Sequence, residues 1–449
     1  MEILANIYNG IMGFTAWMWS LPVVLILIGG GLIITVACDF VQIKHFGFML
    51  KKTFSNTRKG NKRKGDGISG VQAMIATLAN TIGTGNIVGV ASAIAIGGPG
   101  AVFWMWVIGF VAMALKYAEA TLAVATRTKD KNGNWQGGAN HYLSKLWKPI
   151  GLIWGTIFVF GTPIGCGMHA AAIVDAAGTF YIPTIAATIV VAIIVTIVIL
   201  GGVKRLVKVT DKMVPIMAVI YILTGTLIIV LNINNLIPAL VSIITNAFTG
   251  TAAVGGFAGA TVSTAISVGC ARGVLSNDGG NGVATILHSQ ADVEHPVEQG
   301  MYGIFEVFAC TLVICTFTAL VVLCTGEWQS GAPGSVLAIN AFGTIGPVGH
   351  FIAAVSLMLF ATSSVLSMAG ACGISAYNMF GKIGMWVVQA MAVGGCVVGG
   401  LIGVDAALPY MDVLNMFSII LNVGGMLCYV KLLRKLTLDF FSNENDKMV

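Results

Sequence analysis

Residues 69–100 read SGVQAMIATLANTIGTGNIVGVASAIAIGGPG. The stretch is long and apolar enough to cross a bilayer, which takes about 20 residues. Its middle, however, is Asn80-Thr81-Ile82-Gly83-Thr84-Gly85-Asn86. Backbone that leaves the helix at membrane depth is tolerated only where it is buried in protein or lines a cavity. The pattern therefore points to a broken helix, whose half-helix ends offer N–H groups to an anion and C=O groups to a cation. Such a device can hold a zwitterion beside a metal ion. The competing reading is a Gly-rich helix packed closely on a neighbour; close packing calls for the glycines but not for the flanking asparagines.

The rest of the chain supports a membrane setting. Of 449 residues, 57% are hydrophobic and 9% charged, against about 25% charged in a soluble domain. This is the composition of an all-α polytopic membrane protein. The first residues, MEILANIYNG, lack the basic start of a cleaved signal peptide. The nine cysteines form no CxxC pair, and Cys38, Cys310, Cys315, Cys324, Cys372 and Cys396 lie in apolar runs, where they read as small packing residues.

Apolar runs indicate eleven spans, at roughly 17–38, 69–97, 101–126, 150–174, 182–202, 213–232, 254–290, 300–325, 346–370, 383–403 and 408–430. Residues 235–250 read as a short interfacial helix. With this count, Lys and Arg fall on one side. Lys44, Lys51, Lys52, Arg58, Lys59, Lys62, Arg63 and Lys64 precede the second span, five more lie in 127–148, and Lys204, Arg205, Lys208, Lys212, Lys382, Lys431, Arg434, Lys435 and Lys447 complete the set. Only Lys116 and Arg272 remain, both inside spans. The positive-inside rule places the basic loops in the cytoplasm, with the N-terminus outside and the C-terminus inside. Topology alone accounts for these charges, so no nucleic-acid partner is expected.

The domain reading follows. Residues 1–41 hold an extra N-terminal helix and 42–66 a basic cytoplasmic loop. Residues 67–232 and 254–430 form two five-helix halves, and 431–449 a cytoplasmic tail. Each half opens with a Gly-interrupted segment, the best sequence pointer to a transporter binding site. An odd number of spans per half makes the halves inverted.

The run TLANTIGTGNIVGVASAIAIGGPGAVFWMWV, followed by Lys116-Tyr117-Ala118-Glu119-Ala120, resembles the alanine or glycine:cation symporter family, as does Arg272-Gly273-Val274-Leu275-Ser276-Asn277. The resemblance spans about residues 38–430. It implies a LeuT-type 5+5 inverted repeat with two broken helices, here preceded by one extra helix. It further implies a substrate carboxylate on the backbone amides near Gly83, Thr84 and Gly85, with Thr81 beside them. Helix-end physics agrees. Asn86 would order the break or assist a cation, and the carbonyls of Ala79 and Ile82 would face sodium, a hard cation that prefers oxygen.

In the ninth span, the triplet Thr362-Ser363-Ser364 supplies hydroxyls where LeuT-type proteins bind sodium. The expected ligands are Thr362, Ser363 and the Leu359 carbonyl, against the alternative that these hydroxyls bond back to the preceding turn. The second interrupted segment breaks at 267–273 or at 277–282; the first is nearer mid-membrane counted from residue 254, and puts Thr264 and Ser267 at the site. Arg272 needs a partner inside the bilayer, and Asp278 is the nearest carboxylate in sequence. Lys116 and Glu119 share a helix face, as a gating or a structural pair. Glu306 has no evident partner, which makes it a functional candidate by default.

Departures from the family pattern concentrate on the substrate wall. In the fourth span, Cys166 and His169 stand where the family has asparagine and glutamine, so His169 is a candidate specificity residue or a buried structural histidine. Residues 367–373 lack the family's two tyrosines and acid, and Gly137-Gly138-Ala139-Asn140-His141-Tyr142 replaces its Gly-Gly-Pro motif.

The resulting expectation is a secondary transporter of the cell membrane. It would carry a small, alanine- or glycine-like amino acid inward with Na+ by alternating access. Two alternatives stand beside it: a proton-coupled or exchange carrier for another amino acid or amine, using His169 or Glu306, and a membrane sensor that binds without transporting. The chain has no phosphate loop, and its histidines are too dispersed for a metal centre, so no enzymatic activity is expected.

Overall fold

The computed structural model describes residues 2–59, 68–131, 133 and 135–448; the end of the basic loop, 60–66, lies outside them. Sixteen helices of ten or more residues organise the described chain: α1 (Glu2–Ser20), α2 (Pro22–Ala37), α3 (Phe46–Lys59), α4 (Gly70–Thr81), α5 (Gly85–Gly97), α6 (Gly100–Thr126), α7 (Lys148–Gly178), α8 (Thr184–Ile199), α9 (Gly202–Leu231), α10 (Leu236–Thr249), α11 (Val262–Asn277), α12 (Pro296–Cys324), α13 (Gly334–Gly343), α14 (Pro347–Ile402), α15 (Val404–Cys428) and α16 (Val430–Met448). A further eight-residue helix, Ala139–Leu146, precedes α7.

Seven described helices are long and apolar enough to cross a membrane, and the bent pair α4 and α5 adds an eighth span. The shorter α8 is apolar as well, and α11 packs beside α6. At about 1.5 Å per residue, the 56 residues of α14 would be far longer than a bilayer is thick. Gly381, at φ 73° and ψ −166°, divides it into two spans. With α8, α11 and the two parts of α14 counted alongside these, the described helices fit the eleven-span reading.

The broken helix is present. A capping box opens α4: the Ser69 hydroxyl accepts from the Gln72 N–H at 3.2 Å, while Gln72 Oε1 accepts from the Ser69 N–H at 3.0 Å. The helix stops where Ile82 turns to φ −81° and ψ 82°. The chain restarts at 51° to its former direction, through a π-helical turn over Gly85–Gly89.

The second break lies at the later of the two expected positions. α11 runs unbroken to Asn277, Asp278 adopts the left-handed conformation (φ 53°), and the chain stays irregular until Thr285. The count from residue 254 fails because 251–260 is not helical; it folds into a small loop bridged at Thr251–Ala260 and Val254–Phe257. Thr261 then caps α11, so the helix begins only at Val262 and runs on to Asn277.

Two packed groups result. α7 lies along α14, joined by α8, while α6 packs on α11 and α12, joined by α4 and α5. α7 and α14 meet backbone to backbone: a methyl on Gly399 would fall 2.1 Å from the Gly167 carbonyl oxygen. Short parallel strands, Ile68–Ser69 and Ala291–Asp292, pair just before α4 and just after the second break. The Arg127 guanidinium holds this pair by donating to Ser289 O at 2.6 Å and Ala291 O at 2.5 Å.

The described residues of the regions read as a basic loop and a tail include α3 and α16. Their aromatic residues interlock: Phe48 meets Phe440 and Phe441 edge-on, and His45 stacks on Phe441 at 3.6 Å. Charge density hid two amphipathic helices whose apolar sides cover each other.

Candidate functional site

The first break is wholly buried, with Thr81, Ile82, Thr84 and Asn86 all at most 3% exposed. Asn86 holds it in shape. Its Oδ1 accepts from the Gly83 N–H at 3.1 Å, and its Nδ2 donates to Cys310 O on α12 at 3.0 Å. Its carbonyl accepts from the Thr318 hydroxyl at 2.8 Å. The side chain thus closes the turn and ties it to α12. Thr81 turns its hydroxyl back toward Thr77 O, at 3.3 Å, rather than into the break.

Gly83 and Gly85 are glycines because neighbours come too close for a side chain. A Cβ on Gly83 would lie 2.0 Å from Ser364 Oγ, and one on Gly85 would lie 2.6 Å from the Leu275 carbonyl oxygen. The two broken helices therefore touch through bare backbone at Gly85.

His169 on α7 reaches this point. Its Nδ1 lies 2.9 Å from the Thr84 hydroxyl, and the residue is buried. Cys166, three residues earlier, is packed instead between Val365 O and Cys396, whose thiol points at the Cys166 carbonyl at 3.7 Å. The structure therefore brings His169 to the break and leaves Cys166 among the scaffold helices.

On α14 the oxygen-rich position is shifted by one residue from that expected. Thr362 bonds back to Met358 O at 2.7 Å and lines an apolar cleft beside α8. Ser363 is buried and donates to Phe360 O at 2.8 Å. Ser364 is the hydroxyl that crosses to the broken helix, lying 2.9 Å from Asn80 O, 3.3 Å from Ala79 O and 3.2 Å from Phe360 O. The carbonyl at the junction is Phe360, not Leu359. Ser367, a turn further on, donates to Ala76 O at 2.5 Å. Uncharged oxygens crowded in this way suit a monovalent hard cation without adding charge.

The second helix contributes differently from expectation. Thr264 sits in the first turn of α11, its hydroxyl 2.9 Å from that of Thr261. Ser267 lines a cavity of about 380 Å³ that also touches Thr15 and Trp19 of α1. Neither reaches the first break. The residues that do are Leu275 and Ser276, whose hydroxyl lies 2.7 Å from that of Thr311.

Arg272 pairs with Asp412 on α15 at 2.6 Å, not with Asp278. The pair stands between the 380 Å³ cavity and another of about 460 Å³ lined by Ser92, Phe257, Trp328 and Leu408. Trp19 of α1 donates to Asp412 O at 3.1 Å. The partner lies 140 residues away in sequence, and nothing local to Arg272 signals it.

Past the breaks lies a dense polar cluster that sequence reading only sampled. Asp278 accepts from Asn281 at 2.9 Å and from Asn80. Glu119 Oε1 accepts from the Gly282 N–H at 2.8 Å and from Asn422 at 2.7 Å. Lys116 donates to Asn277 O at 3.0 Å. Glu306 meets Thr77 and His288. Lys116 and Glu119 thus pair with the second broken segment rather than with each other.

Comparison with known proteins completes the description. The profile of the sodium:alanine symporter family matches residues 3–448. An uncharacterized transporter of Bacillus subtilis (strain 168), YflA, is 35% identical over 437 residues, covering 95% of this chain and 92% of its own. The sodium/alanine symporter AgcS of Methanococcus maripaludis is 36% identical over 442 residues, covering 92% of each chain. Among solved structures, MhsT in complex with L-phenylalanine shares the fold, with a TM-score of 0.57 at 16% identity over 79% of this chain and 87% of that one.

Proposed function

This chain belongs to the sodium:alanine symporter family and is a membrane transporter, and from that premise we propose that it carries a small neutral amino acid into the cell together with sodium. One observation carries the reading: the half-helix break at Ile82–Gly85 lies next to a cage of uncharged oxygens from Ser364, Ala79, Asn80 and Phe360. The substrate's carboxylate sits on the amides of Thr84 and Gly85, which head α5, with positive dipole behind them. Sodium takes the Ala79, Ile82 and Phe360 carbonyls with the Ser363 and Ser364 hydroxyls. This set has Phe360 and Ser364 in place of Leu359 and of Thr362, whose hydroxyl bonds back to Met358 O. Asn86 orders the break.

Sodium and substrate then share α4 and α5. An ion that fixes the α4 carbonyls also fixes the geometry of the amides one turn on, so each ligand raises the other's affinity by the same factor. The halves 67–232 and 254–430 provide the alternating motion, with 1–41 as an added helix. The basic segments, including 42–66 and the tail 431–449, face the cytoplasm and the N-terminus faces outward. The interlocking of α3 with α16 supports a common side for loop and tail, as does Lys52, whose ammonium lies 5.1 Å from the Phe440 ring centre.

The test is uptake of labelled small amino acids into proteoliposomes, with an inward sodium gradient or with choline in place of sodium at matched pH. Sodium-dependent accumulation of one compound supports the reading. Uptake that ignores sodium, or binding without uptake, refutes it.

His169 is the specificity residue of this proposal. Its contact with Thr84 puts an imidazole beside the substrate amides. Replacing it by glutamine (H169Q) is expected to change the ratio of uptake between two small amino acids by about tenfold or more, as expected when a hydrogen-bonding wall is altered. The sodium concentration for half-maximal uptake should stay within about twofold, because His169 does not touch the oxygen cage. Competition assays against a panel of unlabelled amino acids measure both.

A further inference from the structure

We propose that a cavity on the basic face of the molecule is an effector site, where a small uncharged aromatic molecule binds and arrests transport. The cavity holds about 270 Å³ and lies where the 127–148 loop meets the end of α8, the start of α9 and both parts of α14. It is separate from the sodium cage. Ser364 and Ser367 point at α4, whereas the cavity is lined by residues 366, 370, 373 and 377, about a third of a turn round the helix.

Two glycines make the room. A methyl on Gly373 would lie 2.6 Å from Gln389 Nε2, and one on Gly370 would lie 2.6 Å from a Leu206 methyl. Both belong to the stretch 367–373, which lacks the tyrosines and the acid of the family pattern. Larger side chains at these positions would fill the space; this chain leaves it open.

The walls define the ligand. Trp135 and Tyr377 supply aromatic surface, and the amides of Gln290, Asn378 and Gln389 supply donors and acceptors. Gln389 Oε1 is buried with no hydrogen bond, which leaves an acceptor for a ligand O–H or N–H. The rest of the described lining is apolar or glycine, and none of it is charged. Apolar walls with a few convergent polar groups suit a ring that carries one hydroxyl or N–H. A phenol or an indole meets these requirements. An ion does not, because nothing in the described lining would repay its lost hydration.

The position gives binding a consequence. Trp135 lies against the Arg127 guanidinium, 3.9 Å from its ring centre, and its carbonyl accepts from Gln290 at 3.1 Å. Arg127 in turn holds the paired strands that adjoin both broken helices. One wall of the cavity is thus tied to the broken helices, while the other belongs to α8, α9 and α14. A ligand that bridges the two walls keeps them from shifting past each other. The arrest rests on the transport reading; the binding site does not.

The probe is 4-fluorophenol, followed by fluorine NMR with the detergent-solubilised full chain. Its signal should shift saturably with added protein, and that of the anion 4-fluorobenzoate should not. Gly370→Phe should abolish saturable binding by filling the cavity. Gln389→Leu, with uptake unchanged, should weaken it about threefold or more through the lost hydrogen bond. In proteoliposomes under a sodium gradient, saturating 4-fluorophenol should lower the maximal rate of wild-type amino-acid uptake about fivefold or more by favouring one conformation. The half-saturating amino-acid concentration should not change, and Gln389→Leu should need more probe for the same inhibition. Absence of saturable binding, equal binding of 4-fluorobenzoate, or binding that Gln389→Leu leaves unchanged overturns the proposal. Inhibition relieved by excess amino acid puts the probe at the first break and overturns it too. Sodium-driven uptake that continues at full rate with the probe bound refutes the arrest and leaves the symport reading intact. Binding weakened by Gln389→Leu, in a protein that takes up nothing, upholds the site and refutes the transport reading.

Discussion

Replacing Gly85 by alanine is expected to abolish most uptake while leaving a folded protein. The added methyl would sit 2.6 Å from the Leu275 carbonyl oxygen and 3.0 Å from its carbon, and both are backbone atoms. Unlike a flexible side chain, the end of α11 cannot step aside without moving the second break with it. Overpacking of this kind costs about 1–3 kcal/mol, or about 5- to 150-fold in a population or an affinity. The cost falls where the two interrupted helices cross, so it should appear in uptake and substrate binding more than in melting temperature. Alanine at Gly89 is the control, because its nearest neighbour is a Leu275 methyl at an ordinary 3.7 Å. Normal uptake by Gly85→Ala would show that the helices do not need this approach.

The second large effect is expected from Ser364→Ala. Removing this hydroxyl leaves the Ala79 and Asn80 carbonyls without the group that meets them from α14. A lost polar contact in a buried site costs about 1–3 kcal/mol. The sodium concentration for half-maximal uptake should therefore rise about 5- to 150-fold, with a smaller effect on the maximal rate. Thr362→Ala should change it by less than about twofold, because that hydroxyl serves only its own helix. Sodium titrations of uptake decide between the two positions. An effect at Thr362 and none at Ser364 would restore the register read from the sequence.

These variants mark where sequence reading succeeded and where it stopped. Asn80 to Asn86 announced a break because polar residues and glycines interrupt an apolar run, and each proves to have a partner or a close neighbour. The helical, membrane-spanning character was legible because long apolar runs alternate with polar segments. The register of Thr362-Ser363-Ser364 was not legible: consecutive residues on a helix point about 100° apart, so which hydroxyl crosses depends on how α14 is rotated against α4. Thr264 and Ser267 were misplaced because the loop at 251–260 looks as apolar as a helix. Asp412 was missed as the partner of Arg272, and Thr77 and His288 as the partners of Glu306, because such contacts join distant parts of the chain. The amphipathic α3 and α16 were hidden by their charge.

The two short strands before α4 and after the second break have a mechanical consequence. Pairing Ile68 with Ala291 and Ser69 with Asp292 yokes the two interrupted helices at one end, and Arg127 pins the yoke to the foot of α6. Gln299 reaches Gly70 from α12 and joins the same knot. In the proposed alternating motion, a swing of one helix would carry the other with it, like the arms of one crank. Inserting a single residue in either strand would therefore mistime both arms at once, so length in these loops is as tightly constrained as chemistry in the breaks.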